Sequence, residues 1–113
     1  MKSSDLSGLI KSAKSASEML KGLAHEIRLL AICFIGEGEK KVQELESYLG
    51  TTQANISQHL AKMRSLGLLE NRKEANLVYY RIKNKSTLKL VKVLQEIYCG
   101  NGEVKHLIKE KRK

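Results

Sequence analysis

The most reactive side chains in this sequence are its two cysteines, Cys33 in "LLAICFI" and Cys99 in "LQEIYCG". A cysteine thiolate can attack an electrophile, bind a metal ion or enter a disulfide. No Cys-x-x-Cys pair is present, so the spacing favours neither a structural zinc site nor a thioredoxin-like motif. Two cysteines are also too few for a disulfide-stapled scaffold. Their chemistry therefore depends on the elements that carry them.

The two thiols are predicted to have different surroundings. Cys33 lies in a helical segment that is apolar on nearly every side, where burial keeps a thiol protonated and slow to react. Cys99 stands at the end of its helical segment, so we expect it to be the more accessible thiol. The negative end of the helix dipole disfavours a thiolate there, and Lys92 and Lys105 are candidates to offset it. Taken alone, Cys33 is better explained as a small buried hydrophobe and Cys99 as an incidental thiol.

Composition limits the protein to one domain, residues 1–113, with a basic surface. The 113 residues include 21 Lys and Arg against 12 Asp and Glu, a net charge of +9. Such a charge favours a polyanionic partner, either nucleic acid or a membrane surface. No apolar run approaches the roughly 18 residues that span a bilayer, and the N-terminus lacks the apolar core of a secretory signal. We therefore expect a cytoplasmic protein whose thiols are normally reduced.

The hydrophobic pattern predicts a mainly α-helical chain with a small β-hairpin. Apolar spacing predicts helices over 1–22, 25–35, 42–49, 53–65 and 86–99, a hairpin over 68–83, and a basic tail over 101–113. Gly50 is suited to end the third helix, and Thr52 to cap the fourth. A short helix, a glycine-containing turn, a polar-faced helix and a basic hairpin are typical of a winged helix-turn-helix. In this interpretation residues 42–65 are the helix-turn-helix and 68–83 the wing.

The fourth predicted helix has the side chains that a DNA-recognition helix needs. Its apolar stripe is Ile56, Leu60 and Met63, and the rest of its surface is polar. Asn and Gln can bond bidentately to adenine, while Ser and Lys can reach bases or phosphates. We expect the following residues to face the major groove: Gln53, Ala54, Asn55, Ser57, Gln58 and Lys62. Any solvent-exposed helix carries such residues, but the preceding turn and the following basic hairpin favour DNA binding.

The predicted wing adds positive charge beside that helix. Arg72 and Lys73 precede the hairpin tip, where they could neutralise phosphates or enter a minor groove. Protection of an exposed strand edge explains each residue equally well on its own. His59 flanks the apolar stripe of the recognition helix, and we expect it to pack or to contact phosphate rather than to bind a ligand.

Over about residues 20–99 the chain resembles the ArsR/SmtB family of winged-helix repressors. The matching stretches are "LKGLAHEIRLLAIC", "VQELESYLGTTQANISQHLAKMRSLGLLENRKEANLVYYRI" and "LQEIYC". The resemblance implies a homodimer built from the helices over 1–22 and 86–99, bound to double-stranded operator DNA. We do not expect an enzyme, because the motifs supply no set of nucleophile, base and orienting group. The wing tip departs from the family, since it has Ala75 and Asn76 where glycine is usual; Asn tolerates a positive φ.

The resemblance also bears on the cysteines. The usual metal sites of the family are absent, because "VQELESYLG" has no Cys-x-Cys and the last helix has no Asp and His pairs. We therefore expect neither a metal nor a cofactor. Cys33 and Cys99 match the cysteines of the sulfide- and persulfide-responsive subgroup. This match implies that reactive sulfur species join them through a disulfide or a polysulfide such as a tetrasulfide, altering DNA affinity. A sensor of metal, arsenite or general oxidants and a non-inducible architectural DNA-binding protein remain alternatives.

Overall fold

The computed structural model describes the backbone of residues 3–98 and the side-chain burial of residues 6–98. Cys99, Lys105 and the tail over 101–113 lie outside the described residues. The elements are α1 (Ser3–Leu23), α2 (Glu26–Ile35), β1 (Glu39–Lys41), α3 (Val42–Leu49), α4 (Gln53–Ser65), β2 (Leu69–Glu74), β3 (Leu77–Ile82) and α5 (Lys85–Tyr98). The predicted class, mainly α with a small β wing, is confirmed. None of the helices within 3–98 combines the length and the apolar character that membrane crossing requires.

The sheet has three strands, so the prediction of a two-stranded hairpin was incomplete. The order is β1-β3-β2, and β1 runs antiparallel to β3 with Glu39 opposite Arg81 and Lys41 opposite Tyr79. The sequence of β1 is Glu-Lys-Lys, which lacks the apolar alternation by which strands are recognised. Backbone pairing with β3 forms this strand, and such pairing leaves no local sequence signal.

The wing turns through two residues in the left-handed region. Ala75 has φ 50° and Asn76 has φ 69°, as a two-residue type I′ turn requires. This turn matches the twist of the flanking strands and sets their register, in which Arg72 lies opposite Tyr79 and Glu74 opposite Leu77. The absence of glycine at the tip therefore does not prevent the tight turn, although alanine rarely adopts a positive φ.

Helix α2 lies at the centre of the fold and contacts α1, α3, α4, α5 and β3. Its Ala31 and Ile32 are fully buried, as expected for a helix that is apolar on nearly every side. The predicted stripe of α4 is also completely buried: Ile56, Leu60 and Met63 each have 0% exposure. Burial of this stripe against α2 turns the polar face of α4 towards solvent.

The two terminal helices leave apolar side chains in solvent. The exposed large apolar residues of α1 and α5 are Leu6, Leu9, Ile10, Leu20, Val93, Ile97 and Tyr98. Within α5, Val91 is fully buried, whereas Ile97 is 64% and Tyr98 74% exposed. The chain by itself therefore buries only part of the broad apolar arc of α5, and exposed apolar patches of this kind commonly mark protein interfaces.

Candidate DNA-binding surface and thiol site

A short, well-capped connection fixes α4 relative to α3. Gly50 ends α3 with φ 64°, and its N–H donates to the Glu46 carbonyl at 3.1 Å. Thr52 then begins α4, since its Oγ1 accepts the Asn55 N–H at 3.1 Å. The left-handed stop and the hydroxyl cap satisfy main-chain groups at both sides of the turn. The N-terminal end of α4, where a recognition helix meets base edges, is thus held firmly.

The residues predicted to face the major groove lie on two parts of the α4 surface. Gln53, Ala54, Gln58 and Lys62 are exposed, whereas Asn55 and Ser57 are half-buried at the margins. The Asn55 amide donates from Nδ2 to Thr51 Oγ1 at 2.7 Å. Asn55 therefore braces the turn before α4.

On the wing, Arg72 is bound to two carboxylates. Its Nε donates to Glu39 Oε2 at 3.1 Å, and a second nitrogen binds Oε1 of the same carboxylate. Its Nη1 donates to Glu74 at 2.6 Å, and the guanidinium lies 4.3 Å from the centre of the Tyr79 ring. The pKa of Glu39 is lowered by the hydrogen bond from Arg72, and the pKa of Arg72 is raised by Glu39 and Glu74. Sequence reasoning missed this clamp because it missed β1.

Lys73 has different surroundings from Arg72, although the two are adjacent. It pairs in register with Val78, so its side chain points to the opposite face of the sheet. Lys73 is exposed and forms no ion pair with a residue in 3–98, whereas Arg81 is bound to Glu70. Lys73, near the tip of the wing, is therefore a cation that is available to a phosphate.

Cys33 lies near the C-terminal end of α2, half-buried against the core. Its main-chain carbonyl accepts a hydrogen bond of 2.8 Å from Gln95 Nε2 of α5. Lys92, one turn earlier in α5, is paired with Glu37 just beyond α2, and this contact lowers the pKa of Glu37. Two polar contacts thus fix α5 to the end of α2 that carries Cys33. Sequence reasoning had assigned Lys92 to Cys99 and had not identified Glu37.

A cluster at the other end of α2 was also missed. His25 caps α2 by accepting the Ile27 N–H at Nδ1, and its ring centre lies 4.2 Å from that of His59 on α4. Arg28 donates from Nε to His59 Nδ1 at 3.2 Å and from Nη1 to the Gly22 carbonyl at 3.1 Å. Burial and the nearby charges of His25 and Arg28 lower the pKa of His59. His59 packs, as expected. Its partner Arg28 is distant in sequence, and no local sequence pattern indicates that the two side chains are in contact.

The part of the chain from 3 to 98 contains no group of three or more His, Cys, Asp and Glu side chains arranged to hold a metal ion. The two neighbouring histidines have other partners, since His25 caps a helix and His59 accepts from Arg28.

Comparison with known proteins identifies the family. Residues 25–71 match the model described as bacterial regulatory protein, arsR family. The biofilm growth-associated repressor of Xylella fastidiosa (strain 9a5c) is 36% identical over 90 residues, which are 80% of this chain and 79% of that protein. The chain belongs to the arsR family. Another relative, the transcriptional activator HlyU of Vibrio cholerae serotype O1, is 36% identical over 95 residues, 84% of this chain and 88% of HlyU.

A solved structure of one of these relatives agrees with the fold. Reduced HlyU from Vibrio cholerae N16961 superposes with a TM-score of 0.79 at 36% identity, covering 81% of this chain and 97% of that chain. The predicted family and winged helix-turn-helix are therefore confirmed. This arsR-family protein is a DNA-binding transcriptional regulator and not an enzyme.

Proposed function

We propose that this protein is a cytoplasmic, homodimeric transcriptional repressor whose affinity for operator DNA is switched by modification of Cys33 and Cys99. The observation that carries the thiol switch is the hydrogen bond between Gln95 and the Cys33 carbonyl, since it joins α5 to the Cys33 turn of α2. Cys99 follows Gln95 by four residues in the sequence. In the helix predicted over 86–99, that spacing puts Cys99 on the same face as Gln95.

DNA recognition is assigned to the polar face of α4 and to the wing. Gln53, Gln58 and Lys62 are exposed on α4, where Gln can read adenine and Lys can reach guanine or phosphate. The Ala54 methyl group can contact a thymine methyl. The half-buried Asn55 and Ser57 support the edges of this face of α4. On the wing, Lys73 binds a phosphate. Arg72 holds the wing in shape through Glu39 and Glu74.

Dimerisation uses the apolar side chains that α1 and α5 leave in solvent, such as Leu9 and Ile97. A two-fold dimer presents two copies of α4 to one side of the duplex. The half-sites of such dimers lie about 10 base pairs apart, or a multiple of that. The net charge of +9 per chain favours association with the phosphate backbone.

The thiol reaction is an exchange with an organic polysulfide. The thiolate of Cys99 attacks one sulfur atom, forms a mixed polysulfide and releases a thiolate. The thiolate of Cys33 then attacks the bound chain and displaces the second organic thiolate. The polysulfide is the oxidant, and two thiols are its reduced products. A direct disulfide requires Cα atoms within about 7 Å, whereas retained sulfur atoms bridge a wider separation.

The relatives support the proposal in part. One is named a biofilm growth-associated repressor, and another was solved in a form described as reduced. HlyU of Vibrio cholerae is named an activator, so the sign of regulation requires its own measurement. A reporter gene behind the protein's own promoter, with and without the protein, distinguishes repression from activation.

The decisive experiment measures operator affinity before and after treatment with an organic polysulfide, with the protein mass determined on the same sample. We expect an intramolecular cross-link that contains added sulfur and a changed operator affinity. The Cys33→Ser variant should retain a mixed adduct on Cys99 without the cross-link, and the Cys99→Ser variant should lose both.

Each alternative has its own outcome in this experiment. An equal response to hydrogen peroxide would overturn selectivity for reactive sulfur. A change in operator affinity with arsenite or a divalent metal, and none with polysulfide, would favour a metal sensor. If the double variant Cys33→Ser, Cys99→Ser and the wild type bound operator alike under all treatments, the protein would be a non-inducible DNA-binding protein.

A further inference from the structure

Arg28 connects three helices through one side chain. From its place on α2 it donates to the Gly22 carbonyl in the last turn of α1, at 3.1 Å, and to His59 on α4, at 3.2 Å. The end of α1 lies close against the end of α4, because a Cβ added at the buried Gly22 would overlap a methyl group of Leu66. Arg28 therefore lies at the corner where the terminal helix α1 meets the helix that carries the candidate base-reading residues.

We propose that Arg28 is a positioning residue for α4, and that a neutral His59 is needed to hold α4 against the end of α1 and the start of α2 for operator binding. The proposal rests on the proposed function, in which α4 reads the operator. It is independent of the cysteines, so the reduced protein is sufficient to test it.

The hydrogen-bond geometry requires the neutral imidazole. His59 Nδ1 accepts from Arg28, so its proton lies on Nε2 in the neutral tautomer. Protonation at Nδ1 removes the acceptor and leaves the Arg28 Nε–H without its partner. It also creates a cation in a partly buried place beside His25 and the Arg28 guanidinium, and this burial and these neighbours lower the pKa of His59. Both neighbours belong to the start of α2, His25 as its N-cap and Arg28 in its first turn. The contact from α1 is the uncharged main-chain carbonyl of Gly22, which accepts from Arg28.

Loss of this contact affects DNA binding through preorganisation. A recognition helix that is not held in place must be ordered when the complex forms, which weakens binding. Protonation also has an opposing effect, because an imidazolium on α4 is attracted to DNA phosphates. The two effects change DNA affinity in opposite directions, and they depend differently on the DNA sequence. Misplacement of α4 weakens operator binding most, whereas added charge strengthens binding to any duplex.

The test compares the reduced, full-length wild type with His59→Asn between pH 8 and pH 5.5, at constant ionic strength, on operator and on an unrelated duplex. Asn places Oδ1 near the position of imidazole Nδ1, so it accepts from Arg28 but does not titrate. We expect the operator affinity of the wild type to fall by about tenfold relative to His59→Asn as the pH falls, the effect of leaving one donor unpaired. On unrelated DNA the difference should be smaller.

Two further variants separate the partners. Arg28→Met should bind operator about tenfold more weakly than the wild type at pH 8, and Arg28→Lys, which retains a donor, should recover part of the loss. His25→Asn keeps a helix cap at α2 and removes the imidazole next to His59, so it should retain the wild-type pH profile. Circular dichroism and thermal unfolding of each variant establish that it is folded, and His59→Asn carries the test if Arg28→Met is not.

Specific outcomes would overturn the inference. If wild type and His59→Asn had the same pH profile, neutral His59 would not matter. If the wild type bound more tightly than His59→Asn at low pH, His59 would be a phosphate contact. If the wild type failed to prefer operator at pH 8, the proposed function itself would fail. If it did prefer operator and Arg28→Met bound equally well, the inference alone would fail.

Discussion

The side-chain amide of Gln95 donates a hydrogen bond of 2.8 Å to the main-chain carbonyl of Cys33, across 62 positions of sequence. The carbonyl belongs to the last turn of α2, where helical carbonyls lose their intrahelical donors. Gln95 therefore helps to satisfy the end of α2 while fixing α5 to it. A modification of Cys33 would act directly beside this junction between the central helix and a terminal helix.

Gln95→Ala should lower the free energy of unfolding by about 1 kcal/mol, the usual contribution of one such hydrogen bond. The matched control is Glu96→Ala, since Glu96 is exposed on the same turn of α5 and its replacement should change stability by less than about 0.5 kcal/mol. Urea denaturation of the reduced protein measures both. Equal losses in the two variants would show that the Gln95 contact adds nothing to stability.

Lys73→Ala should weaken binding to all duplexes and reduce the salt dependence of binding by about one phosphate contact. Arg72→Ala should also weaken binding, but with a smaller change in salt dependence, because Arg72 is already paired with Glu39 and Glu74. Titrations at several salt concentrations provide both slopes. A larger slope change for Arg72→Ala than for Lys73→Ala would mean that Arg72 leaves its carboxylates to bind phosphate.

The stability of the protein should decrease as the pH falls below about 6.5. The pKa of His59 is lowered from 6.5 in the folded chain, so the unfolded chain takes up this proton at higher pH and protonation favours unfolding. The stabilisation by neutral His59 is complete above pH 6.5 and is lost as the pH falls through the folded pKa. Urea unfolding of wild type and His59→Asn from pH 7.5 to pH 5 should give diverging curves. Parallel curves would contradict the lowered pKa.

Leu9→Glu should shift the protein from dimer to monomer, because it puts a charge on the apolar face of α1 that the proposed dimer buries. Operator affinity should fall with it, since one half-site contact is lost. The control Ser15→Glu adds the same charge on α1 outside the apolar stripe and should remain dimeric. Sedimentation velocity measures the oligomeric state. If Leu9→Glu dimerised at the same protein concentration as the wild type, the interface would lie elsewhere.

Local pattern was sufficient for the elements that carry the candidate DNA face. The apolar period of Ile56, Leu60 and Met63 predicted which side of α4 is buried, and Thr52 predicted where the helix begins. Both signals act within a few residues, so the sequence displays them directly. The same holds for the left-handed stop at Gly50.

Strand β1 and its consequences could not be inferred in this way. Glu39 and Arg72 lie in different strands, separated by β3 in the sheet, and neither has a sequence neighbour that indicates the other. Without β1, Arg72 was an unpaired wing cation in the sequence interpretation. With β1, it is held by a carboxylate of that strand.

The sequence by itself determined the family, the helical order and the polar face of α4, because periodicity, caps and glycine stops are properties of short segments. Only the tertiary structure decided which charges remain available, since it pairs Arg72 with Glu39, Lys92 with Glu37, and Arg28 with His59. Such pairs form between side chains distant in sequence: the pairing of β1 and β2 with β3 brings Arg72 to Glu39, and the packing of α2 against α4 and α5 brings the other two pairs together. Charge can be counted along a chain, but its neutralisation depends on the fold.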